Sequence, residues 1–221
     1  MVSPETAIVS VMHPSLTVLD HPLITHRLAT LRNKETRPPA FRRALDAIAT
    51  MLAVEATRDF TTVDAQIETP LETTSVPVID EEAICLASIL RAGNGLLDGF
   101  MDLLPRASVA HIGLYRNHET LDAVSYYFRA PSNLGDKTLL LLDPMLATGH
   151  TAYAAIEKLK SSGAAAMKFV CLVAAPEGVA FLEKHAADVP IITAALDREL
   201  NDKGYILPGL GDAGDRIYGT E

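Results

Sequence analysis

The residues best suited to chemistry lie between Thr138 and Thr151, in the run T-L-L-L-L-D-P-M-L-A-T-G-H-T. Four successive leucines bounded by polar residues predict a strand buried on both faces, as in a parallel sheet. Asp143 then falls at the strand's C-terminal end, where open α/β sheets bind ligands. Thr148, Gly149 and Thr151 lead into a helical pattern at Ala152, Ala155, Ile156 and Leu159. A turn entering a helix offers unpaired N–H groups and positive dipole to a phosphate. Hydroxyls at Thr148 and Thr151 add donors, and Gly149 lets the backbone come close. Taken alone, the segment also fits an ordinary strand and capped helix, with Thr148 as N-cap. It is not a Walker A loop, because no lysine follows Gly149.

Two arginines occupy comparable places. Arg91 directly follows an apolar run, and Arg116 ends H-I-G-L-Y-R. Singly, each reads as a surface ion-pair partner. Together with Asp143 they would bring three strand ends to one crevice, and guanidinium forks suit phosphate oxygens. Gly209 to Gly214 matches G-x-G-x-x-G, yet only seven residues follow, too few for the helix and second strand of a dinucleotide fold. The scattered histidines show no metal spacing. Cys85 and Cys171 sit in apolar runs and read as buried thiols.

The elements that must position these groups follow from periodicity. Helical spacing runs from Pro22 through Leu23, Leu28 and Leu31, and after Pro38-Pro39 through Phe41, Leu45, Ile48 and Leu52. Strands are predicted at Thr61–Thr69, Ala83–Leu90, Val109–Tyr115, 138–142, 167–174 and 189–194, with a hairpin partner near Ser125–Phe128. Helices are predicted around Leu96–Leu104, 151–161 and 178–186. This alternation predicts a parallel α/β sheet flanked by helices on both sides. Residues 1–20 read as a lead-in, and the whole chain, 1–221, as a single domain. The Gly- and Asp-rich C-terminus could be a mobile tail, but Tyr205, Ile206, Leu207 and Leu210 are anchors a tail does not need.

A net charge of −9 counts against a general nucleic-acid surface. Glu5 and Asp20 with no basic n-region argue against a signal peptide, and the apolar runs are too short for a membrane span. A soluble cytoplasmic protein is expected.

At this point the motifs become recognisable. H21-P-L-I-T-H-R-L, I89-L-R-A-G, H111-I-G-L-Y-R, D143-P-M-L-A-T-G, A174-A-P-E-G and G204-Y-I-L-P-G-L-G-D-A-G-D-R follow one another in order. In this the chain closely resembles the uracil phosphoribosyltransferases, a branch of the type I phosphoribosyltransferases. The resemblance implies a parallel sheet flanked by helices, with a C-terminal hood, residues 196–221, over the base site. It implies transfer of the phosphoribosyl group from 5-phosphoribosyl 1-diphosphate to uracil, giving UMP and diphosphate with Mg²⁺. No metal ligand is assigned directly. Asp143 would take the ribose hydroxyls. The turn through Pro144, Met145, Leu146, Ala147, Thr148, Gly149, His150 and Thr151 would hold the phosphoribosyl diphosphate. Arg91 and Arg116 would grip the diphosphate, with Asp212 beside it and the metal. Backbone groups of Ile206, Gly211 and Ala213, with Asp212 alongside, would read uracil. A cis peptide is implied after the first arginine, at Arg91–Ala92.

The resemblance further implies a homodimer or higher homo-oligomer and GTP as an effector, with no site assigned. Departures from the family pattern are Leu142 in place of a second acid, Ser88 for a proline, Asn94 for an apolar residue, and His150-Thr151 for a Gly-Ser-like pair. The alternative function is a nucleotide-binding regulator of pyrimidine genes on the same fold. Charge and the C-terminal motif count against it. A catalytically silent subunit, and a purine or orotate as the base, are the remaining alternatives.

Overall fold

In the computed structural model, which describes residues 15–116 and 123–220, strand alternation sorts side chains onto two apolar layers. The strands are β1 (Leu16–Val18), β2 (Thr62–Glu68), β3 (Thr73–Ile79), β4 (Ile84–Leu90), β5 (Ser108–Arg116), β6 (Ala123–Arg129), β7 (Thr138–Leu142), β8 (Met145–Leu146), β9 (Ala166–Ala174), β10 (Ile191–Leu196), β11 (Glu199–Leu200) and β12 (Ile206–Leu207). The helices are α1 (Pro22–Arg32), α2 (Pro38–Ala56), α3 (Asn94–Leu103), α4 (His150–Ser161), α5 (Pro176–His185) and α6 (Ala213–Tyr218). The main sheet runs β1-β10-β9-β7-β4-β5-β6, with β8 continuing beside β9. Its pairs are parallel except β5–β6, an antiparallel hairpin at one edge.

Leu140 and Leu142 of β7 face one layer, packed with Leu31, Phe41, Leu45 and Phe100 from α1, α2 and α3. Leu139 and Leu141 face the other, with Ile156, Leu159, Val179 and Leu182 from α4 and α5. A strand covered on both faces needs no polar alternation, which is why β7 is an unbroken apolar run. Proline opens α1, α2 and α5, where its missing N–H costs nothing. His21 caps α1, its Nδ1 accepting from the Leu23 amide at 3.1 Å. Cys85 and Cys171 are buried free thiols, as expected.

The lead-in contains β1, whose parallel pairing with Ile191–Thr193 extends the sheet by one strand. The strand expected at Thr61–Thr69 is not in the main sheet. It pairs antiparallel with β3, which Pro77 and the surrounding polar residues conceal in the sequence. The C-terminal stretch is anchored rather than loose: Ile206, Leu210, Ala213 and Ile217 are buried, whereas Tyr205 is exposed. Among the described residues, no helix is long and apolar enough to cross a membrane.

Candidate active site

The turn after β7 is held by β9. Pro144 carbonyl oxygen accepts from the amides of Leu172 and Val173, both at 3.0 Å, and Met145–Leu146 pair with Val173–Ala174. Pro144 is therefore buried scaffold, whereas Asp143, Met145 and the chain from Leu146 to Gly149 line a cleft of about 220 Å³. Gly149 adopts φ 84°, left-handed, and a Cβ there would lie 2.8 Å from Phe181 and 3.1 Å from the Gly178 carbonyl. A Cβ on Gly178 would approach the Ala147 carbonyl to 2.3 Å. The turn and the first turn of α5 thus close on each other with no room for side chains. Because α4 begins at His150, its first amides have no intrahelical carbonyl and remain available to an anion.

Asp143, Met145, Ala147, Thr148, Gly149 and Thr151 form one wall of the cleft. Ala92, Asp212, Ala213 and Gly214 form the other. Segments far apart in sequence meet here as expected. Asp143 is half-buried, and its carboxyl is pushed up to about 7, mainly by burial, with the negative charge of Asp212 adding and the Met145 amide opposing. A carboxyl this poised ionises readily once hydroxyl donors or a cation face it.

Arg91 stands at the cleft's rim. Its guanidinium is more than half exposed, donates to Asp215 at 3.2 Å and lies 5.9 Å from the Tyr218 ring centre. Its carbonyl accepts from the Tyr218 hydroxyl at 3.0 Å. A Cβ on Gly214 would lie 3.2 Å from Asp212 Oδ1 and in ordinary contact with Arg91 Nη2 at 3.8 Å, which places Gly214 between the two charged groups. The cis peptide lies at Leu90–Arg91, one bond before the expected Arg91–Ala92. Arg116 ends β5, its main chain paired with Ala123, and residues 117–122 lie outside the described residues.

His150 is not on the cleft wall. Its ring packs 4.4 Å from Phe181, while its Nδ1 is 3.1 Å from the Thr148 hydroxyl. Asp212 caps α6, its Oδ1 accepting from the Asp215 amide at 3.0 Å. Gly211, φ 79°, precedes it on an exposed turn, and Ile206 is buried in β12; neither lines the cleft.

Residues outside the expected set hold the C-terminal segment in place. Asp197 follows β10 and accepts two bonds from Arg32, at 2.8 and 2.6 Å, and one from the Gly209 amide at 2.9 Å. Arg216, in the quoted motif, donates to the carbonyls of Leu31, Leu210 and Asn33 and lies over the Phe41 ring. Burial lowers its pKa. An acid directly after an apolar strand, Asp197 carries the same signal as Asp143, which could have singled it out.

A mostly parallel sheet flanked by helices, with a carboxylate and a glycine turn at its C-terminal edge and a C-terminal segment across the cleft, defines a phosphoribosyltransferase fold. The adenine phosphoribosyl transferase of Trypanosoma brucei, solved with AMP, pyrophosphate and ribose-5-phosphate, shares that fold. It matches with a TM-score of 0.59 at 14% identity, over 92% of this chain and 90% of that one. The AQ2163 protein from Aquifex aeolicus is similar at TM-score 0.88 and 38% identity, covering 93% of this chain and 99% of that one. The family model described as uracil phosphoribosyltransferase matches residues 18–220, and the chain belongs to that family. A uracil phosphoribosyltransferase of Mesorhizobium japonicum is 55% identical over 206 residues, 93% of this chain and 99% of the relative.

Proposed function

We propose that this chain transfers the phosphoribosyl group of 5-phosphoribosyl 1-diphosphate to uracil, giving UMP and diphosphate. The carrying observation is the cleft in which Asp143 and the turn to Thr151 face Asp212 and Ala213. The reading treats residues 1–221 as one domain, with 196–221 as the base-binding segment. In the reaction the anomeric C–O bond breaks, the bond to uracil nitrogen forms, and that nitrogen's proton is released. Positive charge develops on the ribose and negative charge on the diphosphate, as in glycoside cleavage.

The amides of Ala147, Thr148, Gly149 and Thr151 hold the 5′-phosphate at the start of α4, and ionised Asp143 accepts from the ribose hydroxyls. Arg91 and Arg116 stabilise the leaving charge. Arg91 would exchange its weak, exposed contact with Asp215 for diphosphate oxygens. The main chain of Ala213, which lines the cleft, reads the uracil edge, together with main-chain groups of Ile206 and Gly211 if the C-terminal segment closes on the base. A cytosine would leave those groups mismatched, which underlies discrimination. His150 acts from behind the turn, through Thr148.

Mg²⁺ fits the donor set. Among the described residues no group of three or more His, Cys, Asp or Glu could cage a metal. The carboxylates of Asp143 and Asp212 lining the cleft suit an ion carried largely by substrate oxygens and water. When bound, Mg²⁺ neutralises charge on the leaving diphosphate.

The reading includes a homodimer or higher homo-oligomer. Support comes from the β2–β3 hairpin, which is separate from the main sheet and exposes Val63, Ile67 and Leu71, the last 94% exposed. A lone two-stranded hairpin is marginal in water, so a second copy is the natural cover. It includes GTP as an effector, tested by activity with and without GTP, and a cytoplasmic location. The net charge of −9 supports the absence of a nucleic-acid partner. The test is diphosphate release that requires uracil, and its loss in Asp212→Asn, which retains the cap on α6 but not the charge. Uracil-independent release, or none, overturns the reading.

A further inference from the structure

Ser88 is fully buried at the C-terminal end of β4, paired in register with Leu142 on one side and His111 on the other. Alternation puts Ala87 and Ile89 on the α4–α5 face, so the Ser88 side chain shares the α3 face with Leu86. A hydroxyl there has left water and needs a protein partner. It has one: Ser88 Oγ donates to Asn94 Oδ1 at 2.7 Å, and Asn94 is the first residue of α3. Two residues that depart separately from the family pattern are therefore one hydrogen bond.

That bond spans the turn carrying Arg91. Within it the Gly93 amide donates to the Ile89 carbonyl at 2.8 Å, and the Asn94 amide donates to the Arg91 carbonyl at 3.2 Å. A Cβ on Gly93 would come within 2.4 Å of the Leu142 carbonyl, the residue before Asp143. The turn is thus pinched between the ends of β4 and β7. Asn94 is its hinge pin, gripping Ser88 with its side chain and the Arg91 carbonyl with its main chain. Other bonds to Arg91 come from Tyr218 and Asp215, both on the C-terminal segment. The Ser88–Asn94 bond ties the turn to the sheet itself.

We infer that Ser88 and Asn94 are a positioning pair that sets the Arg91 turn in the shape that meets the diphosphate. This rests on the reaction proposed above. The pair's burial is asymmetric, Ser88 fully buried and Asn94 only half-buried, and so is its expected response. Ser88→Ala frees a carboxamide that can turn toward water, and should raise KM for 5-phosphoribosyl 1-diphosphate about threefold to tenfold. Asn94→Ala strands a buried hydroxyl and should raise it further, to about tenfold or more. The double variant should be no worse than Asn94→Ala, because both polar groups are then gone.

The experiment is steady-state kinetics on wild type, both single variants and the double variant, with inhibition by inorganic pyrophosphate measured alongside. KM for the diphosphate substrate and the pyrophosphate inhibition constant should rise together, while KM for uracil stays within about twofold, a shift too small to mark a lost hydrogen bond. Additive effects, equal movement of both KM values, or unchanged pyrophosphate inhibition overturns the pairing. Ser88→Thr keeps the hydroxyl and should remain near wild type in pyrophosphate inhibition, which keeps the idea testable if an alanine variant misfolds. Wild type that neither turns over uracil nor binds pyrophosphate in calorimetry overturns the proposed reaction instead.

Discussion

Asp197→Ala should destabilise the fold by about 3 kcal/mol and loosen the segment proposed to hold uracil. The magnitude follows from the contacts. Asp197 is almost fully buried and accepts from Arg32 Nη1 at 2.8 Å, Arg32 Nη2 at 2.6 Å and the Gly209 amide at 2.9 Å. Breaking a buried ion pair by removing one partner costs about 3–5 kcal/mol, because the other charge is left uncompensated. The Arg32 side chain is 25% exposed and still donates to the Gly209 carbonyl at 2.8 Å, so the lower end applies. Equilibrium urea unfolding reads this directly, and KM for uracil, rising with little change in KM for 5-phosphoribosyl 1-diphosphate, reads the local effect. In a double-mutant cycle Arg32→Ala should add little once Asp197 is gone, with a coupling of at least about 1 kcal/mol. A loss below about 1 kcal/mol, the range of an exposed pair, or strict additivity would refute the reasoning.

Asp143 makes stability depend on pH in a defined direction. Its folded value of about 7 lies above the ordinary carboxyl value, so the folded chain binds the proton more tightly. Stability should therefore fall as pH rises from about 4 to about 7, by up to about 4 kcal/mol, and then level off. Asp143→Asn should remove that slope and be the more stable form at pH 8, measured by urea unfolding at several pH values. Substrate hydroxyls favour the ionised carboxylate, so affinity for 5-phosphoribosyl 1-diphosphate should weaken below pH 7, with proton release seen in calorimetry across buffers. His150→Gly should remove the ring from Phe181 and the contact with Thr148, raising KM for the same substrate about twofold to fivefold with kcat nearly unchanged. An identical KM would sink a role for His150.

The turn between β7 and α4 was legible because its signal is local. A buried strand, an acid at its end, a glycine and two hydroxyls lie within fourteen consecutive residues, Thr138 to Thr151. The five longer helices were legible for the same reason, since Phe41, Leu45, Ile48 and Leu52 show one face of α2, whereas α6, six residues inside the Gly- and Asp-rich C-terminus, was not. β1 was not, because a three-residue strand has no periodicity of its own and exists through pairing with Ile191–Thr193. β3 was hidden by Pro77, tolerable only because its hairpin stands apart from the main sheet. The bonds that hold the C-terminal segment over the cleft join residues 165 apart at Arg32–Asp197 and 185 apart at Leu31–Arg216. Contacts at such separations leave no spacing to read. Motif resemblance named Asp212 and Ala213, while their anchoring through Arg216 and Asp197 required the fold.

The most direct measurement is product identity when purified protein, Mg²⁺ and 5-phosphoribosyl 1-diphosphate are given labelled uracil, cytosine, orotate or hypoxanthine in separate reactions. UMP from uracil alone is the expected result. A nucleotide formed from another base at comparable rate, or none from any base while the substrate still binds, would contradict it.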